Sequence, residues 1–175
     1  MKNAFLLLVV ALPLFANAQF KLTPSGFVSA ADSTKNYIVI DAPGISKADL
    51  YKRTLIYLSK QFVSPKDVVS NVENESVTIN SVDVVPVRGF SNFTVNYTLT
   101  IEFKDSKLRV LSPSLNRMYN HLNTLGVIGR GYTKTIFKED GELRLINSKR
   151  SLELLFEQWL TRIGIGIEEG KANNW

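Results

Sequence analysis

His121 is the one imidazole in this chain, and there is no Cys to stand beside it. A thiolate nucleophile, a Cys zinc site, a multi-His metal centre and a disulfide framework are all excluded on that count. An imidazole can move protons near neutral pH, but no nucleophile motif is present for His121 to serve, so a structural or surface role is expected for it. Other spacings that chemistry requires are also missing: Gly-x-Ser-x-Gly, Ser-x-x-Lys, His-Glu-x-x-His and Gly-x-x-x-x-Gly-Lys. Gly126-Val127-Ile128-Gly129-Arg130-Gly131 and Gly164-Ile165-Gly166 are glycine-rich, yet each follows an expected helix. A dinucleotide loop instead follows a strand and opens a helix, so that the pyrophosphate meets the helix N-terminus; these two stretches read as turns. The 16 carboxylates could supply the pair a glycosidase needs, but no spacing singles two of them out. No catalytic residue, cofactor-binding residue, metal ligand or cofactor is expected.

Residues suited to binding are easier to find. The chain of 175 residues carries 21 Lys and Arg against 16 Asp and Glu, a formal charge of +5. The excess is uneven: residues 19–102 balance, 103–150 hold ten basic residues against four acidic, and 151–175 are mildly acidic. Within that basic band Arg130, Lys134, Lys138 and Arg144 are candidate contacts for an anionic surface or an acidic protein. Arg130 lies between two glycines, where the backbone can approach a carboxylate or phosphate closely. Thr94, Asn96 and Thr98 alternate along one side of an expected strand and suit a polar ligand. Plainer readings accompany both sets: solvated Lys and Arg on strand faces, and Thr present for its strand propensity.

The first 18 residues stand apart from the fold. Lys2 precedes the apolar run Ala4 to Phe15, and Ala16-Asn17-Ala18 is an A-x-A cleavage site, so 1–18 reads as a signal peptide. The run is too short to span about 30 Å of hydrocarbon and contains Pro13, and no Cys follows for lipid attachment. The expected product is an exported protein starting at Gln19, a single α+β domain over 19–175 with its sheet and helix core at about 36–163. No later segment is long and apolar enough to span a membrane.

Periodicity then places the elements. Residues 19–35 read as a lead-in with one short strand near Phe27, and Tyr37 to Asp41 as the first full strand. Ser46 and Asp49 start a helix whose stripe is Ala48, Tyr51, Leu55, Leu58 and Phe62, ended before Pro65. Residues 67–73 and 76–85 read as strands joined at Asn74-Glu75. A bulge at Asn80-Ser81 is expected, because Val77 and Ile79 fall out of phase with Val82 and Val84. Phe93 to Phe103 alternates throughout, as a sheet covered on one face only requires, and Asp105-Ser106 turns the chain into 107–111. Ser112 and Pro113 suit the start of a helix over 113–125 with stripe Leu115, Met118, Tyr119, Leu122 and Leu125. A hairpin over 132–137 and 142–146 around Asp140-Gly141 and a helix over 151–163, ended by Gly164 and Gly166, complete the pattern.

Ser46-Lys47-Ala48-Asp49-Leu50-Tyr51, Ser64-Pro65-Lys66-Asp67-Val68 and Tyr97-Thr98-Leu99-Thr100-Ile101-Glu102-Phe103-Lys104-Asp105, in the order strand, helix, four strands, helix, resemble a family of exported bacterial proteins of unknown function with a TATA-binding-protein-like fold. The resemblance covers about 46–112. It implies an α+β fold, β-α-β4-α, in which an antiparallel sheet carries helices on one face, with an extra helix and hairpin segment before the last helix. Whether 113–125 or 151–163 closes the sheet is left open. The family has no assigned activity, so no catalytic residue comes across, and fold alone does not imply function.

The expectation is an exported, periplasmic or secreted, non-catalytic envelope protein that binds a protein or envelope surface component. A small-ligand or glycan-binding module using the open sheet face is the alternative, and a carboxylate-dependent hydrolase a third. An exported location argues against a nucleic-acid partner, and nothing in the sequence speaks to oligomeric state.

Overall fold

Apolar and polar side chains alternate through the middle of the chain, and that alternation becomes a sheet with one buried face. The structure is a computed structural model describing residues 19–86, 92–120, 127–128 and 136–172. Two strands, β1 (Phe20–Thr23) and β2 (Gly26–Ser29), form an antiparallel hairpin. After β3 (Tyr37–Asp41) come α1 (Lys47–Gln61), the single turn α2 (Pro65–Val68), and the strands β4 (Val69–Val72), β5 (Ser76–Pro86), β6 (Asn92–Lys104), β7 (Lys107–Leu111), β8 (Ser114–Asn120) and β9 (Val127–Ile128). The long helix α3 (Ile146–Ala172) completes the described chain. The main sheet runs β3-β7-β6-β5-β4, with β8 paired to β6 and β9 to β8, every pair antiparallel.

The core lies between this sheet and the helices. Val95, Tyr97, Leu99, Ile101 and Phe103 of β6, Val77 and Ile79 of β5, and Leu108 and Val110 of β7 point inward and are buried, each fully buried aliphatic side chain contributing roughly 1.5–3 kcal/mol. Leu50, Tyr51 and Leu58 of α1 and Leu152, Phe156, Trp159, Leu160, Ile163 and Ile167 of α3 pack against them. The β1–β2 hairpin closes one end: Phe27 meets Phe156 edge-on at 4.9 Å between ring centroids, and Phe156 meets Tyr97 at 5.2 Å. Leu22 N donates to Glu153 Oε1 at 2.8 Å, tying the hairpin to α3. The fold is therefore α+β, with helices on one face of an antiparallel sheet.

Helix α1 starts where its cap dictates. Ser46 Oγ accepts the Asp49 amide at 3.1 Å, and Asp105 from the β6–β7 turn accepts the Lys47 amide at 2.8 Å, so two of the donors that every helix start leaves orphaned are satisfied. The turn at Asn74-Glu75 stands as expected, with Asn74 at φ 57°, a left-handed conformation Asn tolerates well.

Several expectations need correction. The lead-in is a two-stranded hairpin rather than one strand, and α2 takes the first residues of the expected strand 67–73, leaving β4 to start at Val69. No bulge exists at Asn80-Ser81, because β5 pairs with β6 without a shift from Ser76 to Pro86. Ser81 and Asp83 occupy the inward positions there, while Val82 and Val84 face out. The expected helix over 113–125 is contradicted across 114–120, which is β8. A register shift opposite Asn96/Tyr97 leaves Asn116 as the extra residue, so Leu115 and Met118, three apart, both turn inward and are buried. A bulge thus produced the spacing of a helix.

Of the expected hairpin at 132–146, the described part is one bridge, Phe137 to Leu143, closed by Lys138 N donating to Glu142 O at 2.8 Å. Finally, Gly164 and Gly166 do not end the last helix, which runs from Ile146 to Ala172 and closes the sheet. Gly166 is where α3 crosses α1: a Cβ there would lie 2.5 Å from Tyr57 Cγ, and one on Gly170 would lie 2.6 Å from Arg53 Cγ.

Candidate functional site

The β6 residues that do not enter the core form the outer face of the sheet, opposite the helices. Thr94, Asn96, Thr98, Thr100 and Glu102 alternate with the buried set, and the register carries their rows across the neighbouring strands. Thr100 lies opposite Thr78, with the hydroxyls 3.1 Å apart. Thr98 Oγ1 donates to Asn80 Oδ1 at 2.7 Å and accepts from Asn116 Nδ2 at 2.8 Å, joining β5, β6 and β8 in one rung. The bulge that buries both Leu115 and Met118 also brings Asn116 to this rung.

In the next row Asn96 stands between Val82 and Arg117. Its Oδ1 is shielded from solvent and has no hydrogen-bond partner, a state that ordinarily costs about 1–3 kcal/mol. Thr94, a further row along, is only 4% exposed, while Val82 and Val84 are 54% and 57% exposed. The face is therefore polar along β6 and shielded from solvent at Thr94 and at Asn96 Oδ1, with valines standing out beside it.

At the opposite corner the outer surface sinks into an open depression of about 740 Å³ bordered by Tyr37, Val39, Glu102, Lys104, Lys107 and Arg109. The Arg109 guanidinium lies 5.3 Å from the Tyr37 ring centroid and pairs with Glu102 across β6–β7. Lys47 pairs with Glu75 at the rim. Both pairs are partly exposed, so each contributes at most about 1 kcal/mol. Lys104 and Lys107 face one another directly across the hairpin, and cross-strand like charges repel. Three carboxylates, Glu75, Glu102 and Asp105, share this depression. Each is already engaged, by Lys47, by Arg109 and by the Lys47 amide, an arrangement that orients the turn and strands. Among the described residues no group of three or more acidic side chains is placed to hold a metal ion.

Behind the face lies a polar network that the sequence does not announce. Trp159 Nε1 donates to Tyr97 Oη at 2.6 Å, and Tyr97 Oη donates to Asp83 Oδ2 at 2.6 Å, linking α3, β6 and β5. Burial pushes the Tyr97 hydroxyl well above the ordinary tyrosine range, and its hydrogen bond to Asp83 adds to this. These three residues are apart in the chain, and no local pattern in the sequence marks their meeting.

The candidate residues separate into two groups. Thr94, Asn96 and Thr98 share the outer face of β6. Arg130 and Lys134, like His121, lie outside the described residues. Lys138 and Arg144 are exposed on the turn before α3; Lys138 is ion-paired with Glu142, and Arg144 N donates to Ile136 O at 2.8 Å. That turn belongs to a different element from the Thr/Asn face.

Residues 37–115 match the family model described as a domain of unknown function (DUF4468) with TBP-like fold. Among solved structures, the chain is similar to a TBP-like protein from Parabacteroides distasonis ATCC 8503, with a TM-score of 0.62 at 10% identity, covering 75% of this chain and 90% of that one. It is also similar to a DUF4468 family protein from Bacteroides ovatus ATCC 8483, with a TM-score of 0.56 at 12% identity, covering 75% and 84%. At such identities the likeness is one of fold. No curated protein matches the chain. The family match spans β3 through the first residues of β8, so Asn116 and the rest of β8, and α3, lie beyond it.

Proposed function

We propose that this chain is an exported, non-catalytic protein of the bacterial cell envelope, periplasmic or secreted, that binds a protein partner with the outer face of its sheet. The observation that carries the reading is the composition of that face. Both long helices pack on the opposite side, and the face combines fixed polar rungs, Thr78–Thr100 and Asn80–Thr98–Asn116, with the exposed valines Val82 and Val84. Apolar side chains standing beside satisfied polar groups are what a protein interface offers. A small ligand needs a more enclosed, mostly apolar cavity with a few convergent polar groups, whereas the depression here is open and bordered largely by charged side chains. The leader at 1–18 supports the location.

The basic residues Arg130, Lys134, Lys138 and Arg144 are the competing candidates. Capture from an envelope extract separates the two, using the mature chain, a Val82→Arg/Val84→Glu variant and a variant with the four basic residues reversed in charge. Loss of one reproducible captured protein with the valine variant alone supports the sheet face. Loss with the charge-reversed variant alone moves the site to the basic band, and capture unchanged by both refutes the proposal. Equal thermal stability of the three proteins is the control for folding.

A further inference from the structure

Gln19 stands directly after Ala16-Asn17-Ala18, and we propose that it is a modification site: once the leader is cut, Gln19 closes on itself to a pyroglutamyl residue, leaving the mature chain without a free α-amine. The inference rests on the export reading, because only cleavage after Ala18 makes Gln19 terminal. The chemistry is self-contained. The new α-amine, whose ordinary pKa of about 8 leaves a fraction unprotonated near neutral pH, attacks the side-chain Cδ. A bond from Nα to Cδ forms, the bond from Cδ to Nε2 breaks, and the nitrogen leaves as ammonia, taking up the proton that Nα gives up. Nothing is oxidised or reduced and no co-reactant is required.

The fold accommodates both the reaction and the product. Gln19 is exposed and precedes the first strand pair, which is Phe20 with Ser29. Its backbone is held through the carbonyl, which accepts the Ala30 amide at 2.8 Å, and the lactam keeps that carbonyl. Its Nε2 donates to Glu157 Oε1 at 3.0 Å, so the departing nitrogen already lies against a carboxylate that can take up the ammonium formed. Immediately beyond it Phe20 is buried at 3% exposure and meets Phe27 edge-on at 6.5 Å. A blocked terminus thus protects the one residue between an aminopeptidase and the start of the hairpin that closes the core.

The test is intact mass and stepwise N-terminal sequencing of the full-length protein exported from its host. The result expected is a chain starting at residue 19, lighter than calculated by one ammonia, refractory to sequencing, and yielding Phe20 first after treatment with pyroglutamyl peptidase. A Gln19→Ala variant should start at the same position, carry no mass deficit and sequence normally. This separates lactam formation from ammonia loss at an internal Asn, which would persist in the variant and refute the proposal. A chain that starts at residue 19 with a free, sequenceable Gln overturns the modification while leaving export intact. A chain that retains the leader overturns both, and one that starts elsewhere overturns cleavage after Ala18 and with it the modification.

Discussion

Replacing Gly166 with Ala tests whether the glycines of α3 permit close approach or merely interrupt a helix. The added methyl carbon would lie 2.5 Å, 2.7 Å and 2.8 Å from Tyr57 Cγ, Cδ2 and Cβ. These atoms are at the root of the Tyr57 side chain, so a rotation of the ring alone does not clear them, and the helices must separate by about 1 Å to restore ordinary contact. Overpacking of this kind costs about 1–3 kcal/mol, and the closeness of three contacts puts Gly166→Ala at the upper end. Ala is favoured over Gly in a helix interior by about 1 kcal/mol, which leaves a net destabilisation of about 2 kcal/mol. In a domain of this size that lowers Tm by roughly 4–8 °C. Urea unfolding monitored by circular dichroism gives the free energy, and Gly166→Ala in a Tyr57→Gly background, which removes the Cβ contact along with the ring, completes the cycle. There the added methyl should stabilise by about 1 kcal/mol, a coupling of about 3 kcal/mol between two residues in direct contact. If Gly166→Ala by itself raises stability by about 1 kcal/mol, as at a solvent-facing helical glycine, the close crossing of α1 and α3 is refuted.

The buried network and the bulge each give a further expected outcome. Tyr97→Phe strips Asp83 and Trp159 Nε1 of the hydroxyl between them and should cost about 1–3 kcal/mol in urea unfolding at neutral pH. Because the Tyr97 pKa is raised in the folded state by burial, its contribution is full below the ordinary tyrosine value of about 10 and is lost as pH rises beyond it, where the unfolded chain ionises first. Unfolding curves above about pH 9 should therefore decline less steeply for Tyr97→Phe than for the parent. Deleting Asn116 should straighten β8 and keep Leu115 and Met118 on the inner face, now two residues apart, with Arg117 still facing out. The core is retained and the hydrogen bond from Asn116 Nδ2 to Thr98 is lost, a cost of about 1 kcal/mol in urea unfolding. A loss of about 3 kcal/mol or more, as when a buried side chain leaves the core, would show that Asn116 is not the extra residue of the bulge.

The parts of the fold legible in the sequence are those that obey local rules. Ser46 and Asp49 mark the start of α1 because capping is settled within one turn of chain. Phe93 to Phe103 marks β6 because alternation alone records a half-buried strand, and the family resemblance over 46–112 rests on such local signals. The errors share one cause. Leu115 and Met118 resemble a helix at a distance of three residues because a bulge in β8 resets the phase, and only the register against β6 reveals it. Val82 and Val84 look like core residues of β5 by type, yet they lie in its outward phase, and the inner face at that end takes Asp83, which accepts from the Tyr97 hydroxyl. Gly164 and Gly166 resemble a helix end because an isolated chain gains nothing from glycine in a helix; the tertiary fold gains the crossing of Tyr57 over α3. The lack of Cys and the single His fixed, without any structure, which chemistries the chain lacks, since those depend on atoms it does not contain. Which face of the sheet the helices cover was decided by packing, because burial belongs to the contacts between elements and no segment carries that information alone.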